Sequence, residues 1–140
     1  MSDTRLTTAA GTAPTTTFLW GLRVTVLLHA ALLVVEFVSA GRILVQDDSA
    51  LPIHGVGAII VHVVGGLQIL AAALLWRPGN GPLWPAVVSA VAFGAGFAQG
   101  YFGSHLMLEL HVPGAMLLVI LVTWILAWSW TARSTHRPTG

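Results

Sequence analysis

Ile53-His54-Gly55-Val56-Gly57-Ala58-Ile59-Ile60-Val61-His62-Val63-Val64-Gly65-Gly66-Leu67-Gln68-Ile69-Leu70-Ala71-Ala72-Ala73-Leu74-Leu75-Trp76 contains no Asp, Glu, Lys or Arg. It is long enough to cross the hydrocarbon of a bilayer as one helix, which takes ~20 residues. Its opening phrase returns further along as Leu110-His111-Val112-Pro113-Gly114-Ala115. Both phrases read His-x-x-Gly-Ala, with an aliphatic residue before the histidine and a long apolar run after it. On a helix, positions i+3 and i+4 share a face with i. Each histidine therefore sits one turn above a Gly-Ala notch.

Composition names the solvent. Of 140 residues, 56% are hydrophobic, and only eleven are Asp, Glu, Lys or Arg. Mean hydropathy is +0.83. A soluble domain of this size does not need so much apolar surface, so the chain is read as an all-α protein of the lipid bilayer. There is no cysteine, which excludes disulfides, thiolate metal sites and iron–sulfur clusters. There is no lysine, and the net charge of +1 offers nucleic acid no basic stripe.

Three further spans follow the same pattern. They run from about Phe18 to Ala40, from Trp84 to Phe102 and from His111 to Trp130, with the second span over His54 to Trp76. The chain thus divides into a disordered tail at 1–16, a four-span bundle at 17–131 and a polar tail at 132–140. Pro52 precedes span two, where a missing N–H is harmless. Pro78, Gly79, Gly81, Pro82 and Pro85 separate spans two and three, and Pro113 falls in the first turn of span four. Trp20, Trp76, Trp84, Trp128 and Trp130 lie near span ends, as an interfacial belt requires.

Arg5, Arg77, Arg133 and Arg137 fall in the tails and the second loop. The first loop holds Arg42 beside Asp47 and Asp48, and the third loop has no arginine. The positive-inside rule puts both tails in the cytoplasm and His54 and His111 on the outer side. Val38-Ser39-Ala40 resembles a signal-peptide cleavage site, but the apolar stretch before it is too long and carries Arg23, His29 and Glu36.

Spans one and two form one hairpin, and spans three and four another. Each first helix ends near a glycine (Gly41, Gly103), and each second helix opens on the repeated phrase. Two similar hairpins pack about a pseudo-two-fold axis along the membrane normal. Spans two and four then lie diagonally across the bundle with His54 and His111 at one depth. Two imidazoles facing each other, with side chains stripped away at Gly57, Ala58, Gly114 and Ala115, suit a large flat ligand. A haem b with both histidines on its iron is the candidate. The plainer reading is interfacial histidines and close helix packing.

The other polar groups in the spans are expected to face the interior. At ~1.5 Å per residue, His62 is about 12 Å below His54, and His29 about 18 Å below Gly41. This pair reads as a hydrogen-bonded contact between spans one and two, or as a second site. Glu36 needs a partner, with Arg42, Gln99 and a histidine as candidates; it would orient an imidazole ligand or carry protons. Arg23 is expected to snorkel to the interface, and Gln68 to point inward. Asp47, Asp48, His105 and Glu109 carry donors suited to zinc or copper, but a solvated loop is the plainer reading.

Ile53-His54, Ala98-Gln99-Gly100-Tyr101-Phe102-Gly103 and Leu110-His111 together resemble one four-helix half of heme A synthase. Each half in that family carries a histidine at the outer start of its second and fourth spans. The order is also similar to that of small, uncharacterised four-span bacterial membrane proteins. The resemblance covers about Phe18 to Trp130 and implies the bundle, the bacterial plasma membrane and haem ligation by His54 and His111. The family's glutamate and arginine around the span-two histidine are replaced here by Leu51 and Gly55, and its outer-loop cysteines and second bundle have no counterpart. Oxidation of a haem methyl group is therefore not carried over.

The expectation is a b-type haem protein that transfers electrons or holds haem, with a quinol or protein as redox partner and no catalytic residue assigned. It could stand alone, as a homo-oligomer or in a larger membrane complex. Two alternatives stay open. One is a non-catalytic membrane subunit or scaffold. The other is a proton or metal-ion pathway through His29, His62, Glu36 and the outer carboxylates.

Overall fold

The computed structural model describes residues 14–132. Most of both expected tails, with Arg5, Arg133 and Arg137, lies outside the described residues. Four helices make up the fold: α1 (Pro14–Leu44), α2 (Leu51–Trp76), α3 (Trp84–Ser104) and α4 (Leu108–Thr131), with a 3-10 turn over Asp48–Ala50. All four are long and apolar enough to cross a membrane, and the chain is a multi-pass integral membrane protein.

The helices overrun the expected spans. α1 starts at Pro14, inside the stretch read as tail, and continues past Gly41 to Leu44. α4 starts at Leu108, so Pro113 lies inside the helix rather than in its first turn. Having no N–H, it leaves the Glu109 carbonyl without its i+4 donor. Pro52 and Pro85 each sit in the first turn of a helix, α2 and α3, where the missing donor costs nothing. Pro85 thus belongs to α3, not to the loop.

Each helix packs on its two neighbours in a ring. α1 packs on α2 and α4, α3 packs on α2 and α4, and among the described residues the backbones of the diagonal pairs do not approach closely. The diagonal placement of α2 and α4 follows from the two short hairpins, as the repeat implies.

Burial is inverted relative to a water-soluble bundle. Val34, Leu70 and Ile120 are 63%, 56% and 60% exposed, whereas His29, Ser39, Gln68, Ser89, Gln99 and Ser129 are buried. Lipid tails are as apolar as leucine, so helix association relies on close packing and interhelical hydrogen bonds instead of the hydrophobic effect. Apolar packing is concentrated toward the end that carries both termini, where Leu19, Leu22, Val26, Ala72, Leu75, Val122 and Ile125 form the core. Toward the opposite end the interior turns polar.

All six tryptophans occupy the terminal end. Trp20 meets Trp130 edge-on at 5.6 Å, and Trp84 packs on Trp124 at 5.0 Å and Trp128 at 4.9 Å. Arg23 does more than snorkel. Its Nε donates to the Ser129 carbonyl at 2.9 Å, and its guanidinium lies over Trp20 and Trp130. It thereby satisfies a carbonyl in the last turn of α4, where a cation also complements the helix dipole.

At the turn from α2 to α3, Gly79 N–H donates to Leu74 O, and Gly81 N–H donates to Leu75 O. A Cβ at Gly79 would stand 2.5 Å from the Leu75 carbonyl oxygen, so this close chain reversal requires glycine. In the loop after α1, Arg42 and Asp47 pair at 2.7 Å. Hydrogen bonds from Ser49, then from Arg42, hold the exposed Asp47 carboxyl below the usual carboxylate range.

Replacing Arg23 by Ala should lower stability by ~1–2 kcal/mol, the scale of a charged hydrogen bond at a helix end. Thermal unfolding of the detergent-solubilised protein measures this. Arg23→Lys should restore only part, because an ammonium lacks the planar guanidinium that stacks on both rings.

Candidate functional site

At the end of the bundle opposite the termini, each hairpin builds the same arrangement. In the first, the Glu36 side chain reaches from α1 onto Gly57 of α2. In the second, the Gln99 side chain reaches from α3 onto Gly114 of α4. A Cβ at either glycine would collide with the side chain seated there. In both cases a polar residue of the first helix fills the notch three residues after the histidine of the second. The repeat thus extends from the sequence phrase to side-chain packing.

The histidines are held by the same hairpins. Ser39 donates its hydroxyl proton to the Glu36 carbonyl at 2.9 Å, so its oxygen accepts from His54 Nδ1 at 3.0 Å. Glu36 Oε2 lies 3.1 Å from the same nitrogen. His111 Nδ1 donates to the Gln99 carbonyl at 3.0 Å. A Cβ at Gly103 would stand 3.1 Å from the His111 ring, so that glycine lets the imidazole lie against α3. Each Nδ1 carries the proton, and each Nε2 keeps its lone pair. The two rings face each other across the bundle with centroids 6.3 Å apart and planes at 73°.

The structure brings together His54, His111, Glu36, Gln99, Gly57 and Gly114. The notches below the histidines are occupied by this protein's own Glu36 and Gln99. Ala58 and Ala115 are half-buried beside them, and Ala58 also lends its carbonyl to His62. Glu36 finds its partner in His54, while Arg42, another candidate, is engaged by Asp47. Among the described residues, Glu36 Oε1, Gln99 Oε1 and His62 Nε2 are buried atoms with no hydrogen-bond partner.

His29 and His62 belong to a deeper layer. The α1–α2 hydrogen bond runs from His29 to Gln68 at 2.9 Å, not from His29 to His62. Gln68 continues it to Ser89 of α3 at 2.9 Å. The loop carboxylates do not gather, and among the described residues no cluster of three or more His, Asp or Glu could hold a metal ion. His105 turns back on Tyr101.

Ser39 and Ser89 are the functional-layer residues that sequence reasoning missed. Ser39 lies three residues after Glu36, one helical turn on, and that spacing was the available signal. Ser89 carries no such signal, because its partner comes from another helix.

The Glu36–Gly57 contact gives a coupling test. Gly57→Ala should lose ~1 kcal/mol when Glu36 is present, because the carboxyl is pushed off its seat and away from His54. In an Glu36→Ala background the same change should be neutral or stabilising, since alanine is the better helix former. A double-mutant cycle from unfolding in detergent reads the difference, and additive effects would refute the contact.

No protein-family model matches the chain, and no curated protein or solved structure is similar to it at a significant level.

Proposed function

We propose that this membrane protein binds one b-type haem between His54 and His111 and uses it to pass electrons or to hold haem. The observation that carries the reading is the histidine pair itself. The two imidazoles face each other across the bundle with centroids 6.3 Å apart, and a haem held there would take its two protein ligands from them. Both Nδ1 atoms are committed to acceptors on the adjoining helix. That arrangement fixes the tautomer and leaves Nε2 for the metal.

The surroundings fit a flat ligand on one condition. Glu36 and Gln99 must turn off Gly57 and Gly114 to make room. Both are flexible side chains, and neither Oε1 has a hydrogen bond among the described residues; moving Glu36 gives up its Oε2 contact with His54, whose Nδ1 keeps Ser39 as acceptor. Removing the two side chains exposes Gly57, Ala58, Gly114 and Ala115, the small residues of the notches. Once moved, Glu36 and Gln99 remain polar partners at the ligand's edge.

The bound haem would supply a one-electron redox centre, its potential set by the two imidazoles and by the burial around them. Ser39 and the Gln99 carbonyl orient the rings. An apolar groove of about 620 Å³ runs between α1 and α4, lined by residues including Leu33, Val34, Phe37, Met116 and Ile120. Phe37 adjoins Glu36 and Met116 adjoins Ala115 in the chain, so the groove borders the site. It offers lateral access from lipid, which suits a quinol as electron partner. The likeness to one half of heme A synthase and the positive-inside distribution of arginine support the same picture, with the histidines on the outer face of a bacterial plasma membrane and both tails in the cytoplasm.

The test is a dithionite-reduced minus oxidised visible spectrum of protein purified in detergent after expression with added haem. Sharp low-spin b-type bands are expected. His54→Ala and His111→Ala should each abolish them, and His105→Ala should leave them unchanged. A featureless wild-type spectrum, or equal loss in all three variants, would overturn the proposal and favour a packing role for the repeated phrase.

A further inference from the structure

Below the histidine pair, a cavity of about 10 Å³ lies where the helices meet, its wall including His29, His62, Gly65, Phe93 and Gly96. We propose that this cavity is a binding site for a single water molecule that bridges His62 and His29, making the two imidazoles one hydrogen-bonded unit in the middle of the membrane. The inference is independent of haem; of the residues assigned to haem, only the main-chain carbonyl of Ala58 takes part.

The hydrogen-bond inventory of the two rings argues for the bridge. His62 Nδ1 lies 2.7 Å from the Ala58 carbonyl oxygen. A carbonyl only accepts, so Nδ1 carries the proton and Nε2 is an acceptor. That Nε2 is buried and has no partner among the described residues. His29 Nδ1 donates to Gln68 Oε1, so its Nε2 is an acceptor as well. Gln68 donates its amide N–H to Ser89 and so presents Oε1 to His29. The two histidines line one small cavity, and a ligand that donates twice would satisfy both rings.

Water meets that need and the available space, since one water takes roughly 10–15 Å³ of such volume. A metal cation would bring a charge into a wall otherwise made of Phe93, Val61, Ala92 and Leu118, with no anion to balance it, at a cost water does not incur. The space exists because two wall positions are glycine. A Cβ at Gly96 would stand 3.0 Å from His62 Nε2, and one at Gly65 would stand 3.5 Å from His29 Cε1.

The bridge extends the polar chain to Ser89–Gln68–His29–water–His62. Along α2 it covers the six residues from His62 to Gln68, about 9 Å of membrane depth. Within it, an additional proton taken up at one Nε2 would pass through the water to the other, while Gln68 and Ser89 act as positioning residues for His29.

Solid-state NMR of the full chain in lipid bilayers, with ¹⁵N-labelled histidine and magnetisation transferred from water protons, tests the site. Unprotonated Nε2 signals from His29 and His62 should both receive transfer from water. Gly96→Ala should reduce transfer to both at least threefold. Gly94→Ala, whose Cβ meets nothing within 4 Å, should leave it unchanged. If Gly96→Ala loses helicity, His62→Phe serves instead and should abolish transfer to His29. Wild-type rings that receive no transfer, transfer to His29 that survives His62→Phe, or a nitrogen–nitrogen coupling that reveals a direct bond between the rings would each overturn the proposal.

Discussion

Glu36 seated on Gly57 and Gln99 seated on Gly114 are the contacts around which the upper half of this bundle is organised. In lipid a polar side chain gains nothing from the surroundings of the helix, so it must find a seat on a neighbour. The glycine supplies the seat by having no side chain, and the helices approach closely there. The same contact sets the histidine one turn away. Glu36 and Ser39 hold His54, and the Gln99 main chain holds His111. Each hairpin arrives at the bundle with its imidazole already oriented. The ring of four helices then brings the two imidazoles together on the diagonal.

The interior accordingly divides along the membrane normal. Nearest the termini, leucine, valine and isoleucine fill the core. The His29–Gln68–Ser89 chain, whose bonds run between helices, and His62, which bonds within α2, occupy the middle. The histidine pair closes the far end. Stability in such a bundle comes from many modest interhelical hydrogen bonds, each about 1 kcal/mol. The neighbouring helix pair least engaged with each other, α1 and α4, is also the pair that Arg23 ties together at the terminal end and that the apolar groove separates further along.

Much of this was legible in the chain. The uninterrupted run from Ile53 to Trp76 identified the solvent, and the repeated His-x-x-Gly-Ala phrase carried the diagonal placement of α2 and α4. What could not be read was the pairing between helices. Glu36 had three candidate partners, and only packing selects His54. His29 was matched with His62 on depth, yet it bonds to Gln68, six residues further along α2, because helix rotation decides which side chain faces it. Helix ends were misjudged for a related reason. Gly41 is compatible with helix, and the reversal before Asp47 comes five residues later, where Gln46 takes a positive φ of 66°. Proline was read as punctuation at Pro113, but flanking packing and the bonds of the preceding turn carry the helix through it.

The tryptophans give the molecule an optical polarity. All six indoles lie toward the end bearing the termini, and along α2 the distance from Trp76 to His54 is about 33 Å at the usual helical rise. The ultraviolet emission of the protein therefore originates mainly in one leaflet. A quencher confined to the opposite leaflet would leave most of that emission untouched. The direction in which the chain has inserted can thus be read from an unlabelled vesicle preparation, without a tag on either tail.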